Sequence, residues 1–134
     1  MDRDLSPVLP GVVFDQGFLQ NGKPQPFWDL LESDGQAAHW SDEMADSLAE
    51  WSRDHFIDRY NRALAVDALR PVLQTPGATG MDVGCSAGYL LSELAEEFPQ
   101  ARLFGADYIA HGLKRCHDNF PDIPLLRMDL NRTN

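Results

Sequence analysis

Thr79-Gly80-Met81-Asp82-Val83-Gly84-Cys85-Ser86-Ala87-Gly88-Tyr89-Leu90-Leu91 is the stretch that decides how this chain is read. A short apolar run reaches an acid, passes through small residues and enters a helical pattern, which predicts strand, tight turn, helix. From Ala87 the apolar residues fall at Ala87, Leu90, Leu91, Leu94, Ala95 and Phe98, while Ser92, Glu93, Glu96 and Glu97 take the opposite face. Gly84 and Gly88 lack a Cβ, so the backbone can turn sharply there. A ligand can then approach the amides at the positive end of the new helix.

Working outward, Pro99 ends that helix, and Arg102-Leu103-Phe104-Gly105-Ala106 predicts a second strand reaching Asp107. Asp107 lies 19 residues beyond Gly88, close to the interval at which an acid accepts hydrogen bonds from ribose hydroxyls in dinucleotide sites. Leu113, Cys116 or His117, and Phe120 suggest the next helix face, closed by Pro121. Pro124-Leu125-Leu126-Arg127-Met128-Asp129 then predicts a third strand capped by another acid. The β-α-β-α-β alternation points to an α/β fold: a Rossmann-like, doubly wound parallel sheet with right-handed crossovers and its ligand beyond the carboxyl ends of the strands. Only three strands of such a sheet are accounted for, so the sheet is expected to be incomplete.

Asp82-Val83-Gly84-Cys85-Ser86-Ala87-Gly88 resembles the first motif of the class I S-adenosylmethionine-dependent methyltransferases, an acid followed by glycines at alternate positions, with Ser86 standing where the middle glycine falls. The resemblance covers roughly residues 56 to 130. It implies S-adenosyl-L-methionine as cofactor and methyl transfer to a small-molecule acceptor. The implied cofactor-binding residues are Asp82, Gly84, Cys85, Ser86, Gly88, Asp107, Tyr108 and Asp129. By the same resemblance Asp82 helps hold the methionine end, Tyr108 flanks the adenine and Asp129 meets its amino group. Tyr60, on the helix before the first strand, is read chiefly as packing, with cofactor contact as the alternative. No catalytic residue is identifiable.

Residues 1 to 40 are rich in Pro, Gly and Asp and read as a loop-rich cap segment, with a hairpin suggested by the turn signal Asn21-Gly22. Pro26 is placed to open a short helix through Phe27-Trp28-Asp29-Leu30-Leu31, stopped near Asp34-Gly35. Residues 41 to 134 form the partial cofactor-binding domain, with helix over 41–70 and the alternating elements over 79–130. Ser41 is a good N-cap, followed by Asp42 and Glu43 where the helix dipole favours negative charge. Met44, Leu48, Trp51 and His55 make one stripe and Phe56, Tyr60, Ala63, Leu64 and Ala68 another, on one long or two consecutive helices, and most of both is expected to be core.

The balance of 21 acidic against 11 basic residues gives a formal net charge of -10, which repels phosphate backbones and disfavours nucleic acid as partner. No run of about 18 apolar residues occurs, so no membrane partner is expected, and a cytoplasmic setting is. Cys85 and Cys116 fall in a turn and on a helix, which disfavours a disulfide framework. His111, Cys116 and His117 are the nearest approach to a metal-ligand cluster, but neighbours on a helix point apart and no metal is expected.

Three other readings compete. Gly84-Cys85-Ser86-Ala87-Gly88 also spells the G-x-S-x-G nucleophile elbow, but only weak strand signals precede it and both downstream histidines share one helix. A nicotinamide-binding Rossmann domain of an oxidoreductase shares the ribose acid but requires G-x-G-x-x-G. A non-catalytic nucleotide-binding module would leave the far edge of the first strand unpaired. That edge calls for self-association or for a C-terminal remainder to cover it.

Overall fold

The computed structural model describes residues 3–4, 9, 12–31 and 41–131. The N-terminal part holds short strands β1 (Arg3–Asp4), β2 (Val13–Phe14), β3 (Phe18–Gln20), β4 (Lys23–Gln25) and β5 (Trp28–Asp29). Helices α1 (Asp42–Asp54) and α2 (Phe56–Leu73) follow, then β6 (Thr79–Val83), α3 (Tyr89–Glu97), β7 (Arg102–Asp107), α4 (Ala110–Asn119) and β8 (Leu125–Arg127). The expected alternation is present, and β6, β7 and β8 are parallel neighbours.

The sheet gains a fourth strand that the sequence does not announce. Its order is β5-β8-β7-β6, all parallel, with Trp28 beside Leu126 and Asp29 beside Arg127. The expected helix through Phe27-Trp28-Asp29-Leu30-Leu31 is therefore replaced by an edge strand; its expected stop at Asp34-Gly35 lies outside the described residues. Arg127 Nη1 donates to Asp29 Oδ2 at 3.2 Å, and the Leu30 amide donates to the Arg127 carbonyl at 2.9 Å. These long-range partners outweigh the weak helical preference of five residues. The Asn21-Gly22 signal does produce a hairpin: β3 and β4 pair antiparallel around it, with Asn21 and Gly22 at φ 54° and 74°.

Successive strand residues face opposite sides, which creates two cores. Leu103 and Leu125 pack with Leu73, Leu91, Leu113 and Cys116 from α2, α3 and α4. On the reverse side Phe104 packs with Phe14, Phe18 and the half-buried Trp28, so the N-terminal hairpin lines that face. Gly105 sits where β7 meets the first core: a Cβ there would lie 2.7 Å from side-chain atoms of both Leu125 and Leu91.

The two apolar stripes of the preceding helices are not core. Helix α1 buries only Ala49, with Met44, Leu48 and Trp51 about half exposed, and α2 leaves Phe56 74% and Tyr60 63% exposed. Leu64 is likewise exposed. The residues of α2 that meet the sheet and α3 include instead Arg62, Val66, Arg70 and Leu73. The helical run breaks at His55, whose extended conformation (φ -65°, ψ 131°) ends α1 and begins α2, and it continues past Pro71 to Leu73.

Helix α3 begins at Gly88, held at φ +84° with an ideal Cβ position only 2.3 Å from Cys116 Sγ. Both facts oppose any side chain there. Gly88→Ala is expected to cost about 2–4 kcal/mol of folding stability, by overpacking plus left-handed strain. Adding Cys116→Ala should recover the overpacking portion only. Urea midpoints of the two variants and the parent check this.

Candidate functional site

The glycine turn is built by backbone hydrogen bonds before any side chain enters. The amides of Gly84 and Cys85 both donate to the Ala106 carbonyl, at 2.7 and 3.0 Å, which pins the turn to the tip of β7. Gly84 takes φ +88°, and a Cβ built on it meets nothing within 4 Å. The space above it is open, as close approach of a ligand to the backbone requires. Ser86 also adopts a left-handed backbone, at φ +47°, the conformation a glycine would take freely.

Asp107 holds that conformation in place. Its Oδ2 accepts from the Ser86 amide and its Oδ1 from the Ile109 amide, each at 2.9 Å, so one carboxylate ties the turn to the entry of α4. Each oxygen retains acceptor capacity for a further donor such as a ribose hydroxyl. Next to it Tyr108 and Asp129 share with Val83, Gly84 and Asp107 the wall of a cavity of about 480 Å³. Asp129 lies two residues past the end of β8, and its Oδ1 accepts from the Asn131 amide at 2.9 Å.

A second cavity of about 330 Å³ lies on the other side of Gly84. Asp82, Cys85, Ser86 and Ala87 form its floor, and Leu48, Ala49 and Ser52 of α1 face them. Gly84 belongs to both cavities, so seven of the eight residues singled out from sequence line one continuous rim. The eighth, Gly88, lies buried beneath the turn against Cys116. The Cys85 side chain also points inward; its contact with the Cys116 thiol, and then burial, push its own thiol well above the usual range, so it is a packing group rather than a nucleophile. Of the residues considered for a metal, His111 faces Asp46 and Asp42 of α1, Cys116 is core, and His117 lines a separate cavity under the N-terminal hairpin. The sequence reading missed the contribution of α1, because nothing local marks which helix will lie over the turn.

The fold built around β6, β7 and β8 is similar to that of solved structures. A protein from Methanococcus maripaludis assigned as an S-adenosyl-L-methionine-dependent methyltransferase superposes with TM-score 0.57 at 18% identity, over 74% of this chain and 48% of that one. The S-adenosylmethionine-bound amino pentose methyltransferase CalS10 of Micromonospora echinaspora superposes with TM-score 0.52 at 20% identity, over 75% of this chain and 39% of that one. The chain thus shares the fold of these two methyltransferase structures. In sequence, this methyltransferase-like chain is 36% identical over 75 residues, 56% of its length, to a trans-aconitate 2-methyltransferase of Azoarcus sp. (strain BH72). It is 27% identical over 86 residues, 62% of its length, to one of Afipia carboxidovorans. The chain spans 29% and 33% of those two relatives. No family model matches it.

The electrostatics of the rim yield a test. Burial, and then the neighbouring Asp107 charge, push the Asp82 carboxyl above its ordinary value of 3.8. A carboxyl raised on folding binds its proton more tightly in the native state. Its stabilising contribution is therefore greatest below the ordinary value and is lost as pH rises through the raised one. Asp82→Asn is expected to raise the melting temperature at pH 7, with the gain over the parent shrinking as pH falls toward about 4. Thermal melts across that pH range check both the sign and the trend.

Proposed function

We propose that this chain is the cofactor-holding portion of an S-adenosylmethionine-dependent methyltransferase acting on a small-molecule acceptor. The observation that carries the reading is the arrangement at the tip of β7. There Asp107 grips the Ser86 amide, beside an open Gly84 and in one cavity with Tyr108 and Asp129. The residues fit the group. Asp82 and Asp107 make the rim negative, which suits a ligand carrying a sulfonium and an ammonium, and the open face above Gly84 admits its close approach.

When bound, S-adenosylmethionine supplies a methyl carbon already activated by its positive sulfur. The chain's own part is to bind and align. Asp107 fixes the sugar, Tyr108 and Asp129 the adenine, and Asp82 with the Gly84–Ser86 backbone the amino-acid end. The acceptor's approach is then directed at one carbon, and alignment alone supplies a large part of the acceleration in such displacements. Helix α1 and the exposed apolar face beside it form one wall of the acceptor space.

The open edge of β6 supports a reading in which further polypeptide covers it. Among the described residues β6 pairs only with β7, and Met81 and Val83 on it are exposed, as are Phe56, Tyr60 and Leu64 of α2. We assign this surface to a further segment of polypeptide or a second copy of the chain, since an uncovered strand edge beside apolar side chains invites pairing. Among the described residues no helix is long and apolar enough to cross a membrane. Two free buried cysteines and the excess of acidic groups fit a cytoplasmic setting away from nucleic acid and lipid.

Titration calorimetry with S-adenosylhomocysteine tests the reading. Binding is expected, and Tyr108→Ala, at the cavity wall rather than in the core, should weaken it about tenfold through lost stacking on the base. Binding of a nicotinamide dinucleotide in place of S-adenosylhomocysteine would transfer the chain to the oxidoreductase reading.

A further inference from the structure

Helix α1 is attached to the body at its two ends and hardly between them. Ala49 is its one buried residue among those described, and Leu48, Ala49 and Ser52 face Asp82 and the Gly84–Ala87 turn across a cavity rather than a packed interface. Its C-terminal end meets α2 through the single extended residue His55. There Arg62 acts as a pivot clamp. Its Nη1 and Nη2 donate to the carbonyls of Ser52 and Arg53, at 3.1 and 3.0 Å, while its Nε donates to Glu93 Oε1 at 2.7 Å on α3.

The N-terminal end is held quite differently. Asp42 and Asp46 stand one turn apart on α1, opposite His111 and Arg115 one turn apart on α4. Asp46 Oδ1 accepts from His111 Nε2 at 2.7 Å and also from Arg115 Nη1, and Asp42 Oδ2 lies 3.6 Å from His111 Nδ1. These side chains keep 27–77% of their surface exposed, so water and salt reach the contact. Glu50 of α1 and Tyr89 of α3 also lie within electrostatic range of Arg115. A helix with one extended joint, one firm pivot, little buried apolar area and a solvent-accessible ionic contact at its N-terminal end can open locally without unfolding the sheet.

We propose that α1 is a lid over the glycine turn, hinged at His55 and latched to α4 by Asp46 with His111 and Arg115, which are thus positioning residues for the site beneath. The proposal deepens the reading of that turn as the cofactor seat. Closing shields the bound group from water, and opening admits and releases it. The latch ties α1 to α4, the helix that Asp107 also fixes to the turn through the Ile109 amide. Lid position and turn geometry therefore share one support.

Hydrogen–deuterium exchange of peptides spanning residues 82–90, corrected for intrinsic rates, tests this without cofactor. Asp46→Arg and Arg115→Asp are each expected to raise exchange there at least about threefold, leaving peptides of β7 and β8 unchanged, while the charge-swapped double variant returns it toward the parent rate. The parent in 1 M salt (about a 3 Å screening length) should show the same local rise. Unchanged exchange in both single variants and in salt, equal loosening across β7 and β8, or no rescue by the swap would overturn the lid. S-adenosylhomocysteine titration of the same four proteins separates the two claims. Affinity falling in the single variants and returning in the swap supports both, whereas no binding by the parent removes the cofactor reading and leaves the exchange result to decide the lid.

Discussion

The carboxylate of Asp107 is the constraint on which the site depends. Ser86 occupies a left-handed backbone conformation that costs a residue with a Cβ about 1–2 kcal/mol. A hydrogen bond from its amide to an ionised carboxylate contributes about 1.5–3 kcal/mol, so the acid at the tip of β7 offsets the strain of the turn. The second oxygen of the same group takes the Ile109 amide and sets where α4 begins. Two loops that flank the cavity are thereby referenced to one side chain. The substitution of serine for the glycine of the related motif becomes tolerable for a stated physical reason.

Around that point the sheet is packed asymmetrically. One face meets α2, α3 and α4 through leucines and Cys116, with Gly105 letting Leu91 and Leu125 close in on the strand. The other face receives aromatic rings from the N-terminal hairpin, where Phe14 and Phe18 lie 5.1 Å apart and Phe18 meets Trp28 edge-on at 5.9 Å. Burying each phenylalanine contributes about 2 kcal/mol. That is enough to make β2 and β3 part of the fold and to seat β5 beside β8. The strands of residues 13–29 are therefore structural.

What the sequence disclosed follows the range of the forces involved. The Asn21-Gly22 hairpin and the Ser41 cap, whose Oγ accepts from the Met44 amide at 3.2 Å, depend on neighbours in the chain and were legible. So was the glycine turn, and the interval to Asp107 is a geometric consequence of one β-α-β unit. The strand at Trp28–Asp29 was not legible, because Leu126 and Arg127, almost a hundred residues away, decide it. Periodicity likewise showed that α1 and α2 carry apolar stripes, but it holds no information about what covers them. The ladder from Asp42 and Asp46 to His111 and Arg115 joins positions 65 or more residues apart and leaves no local trace.

The acidity of the rim carries a folding cost at neutral pH. Asp82 is more than half buried and sits near a second carboxylate, an arrangement that raises its proton affinity and works against folding at neutral pH. An asparagine would fill the same volume without that cost. Carboxyls perturbed in this way cluster at functional sites, which is the physical ground on which the proposed function places a positively charged ligand here. The same Asp82–Asp107 repulsion would be relieved by a cation placed between the two carboxylates. On the proposed function, Asp82 and Asp107 would thus trade folding stability for attraction of the ligand's positive charge.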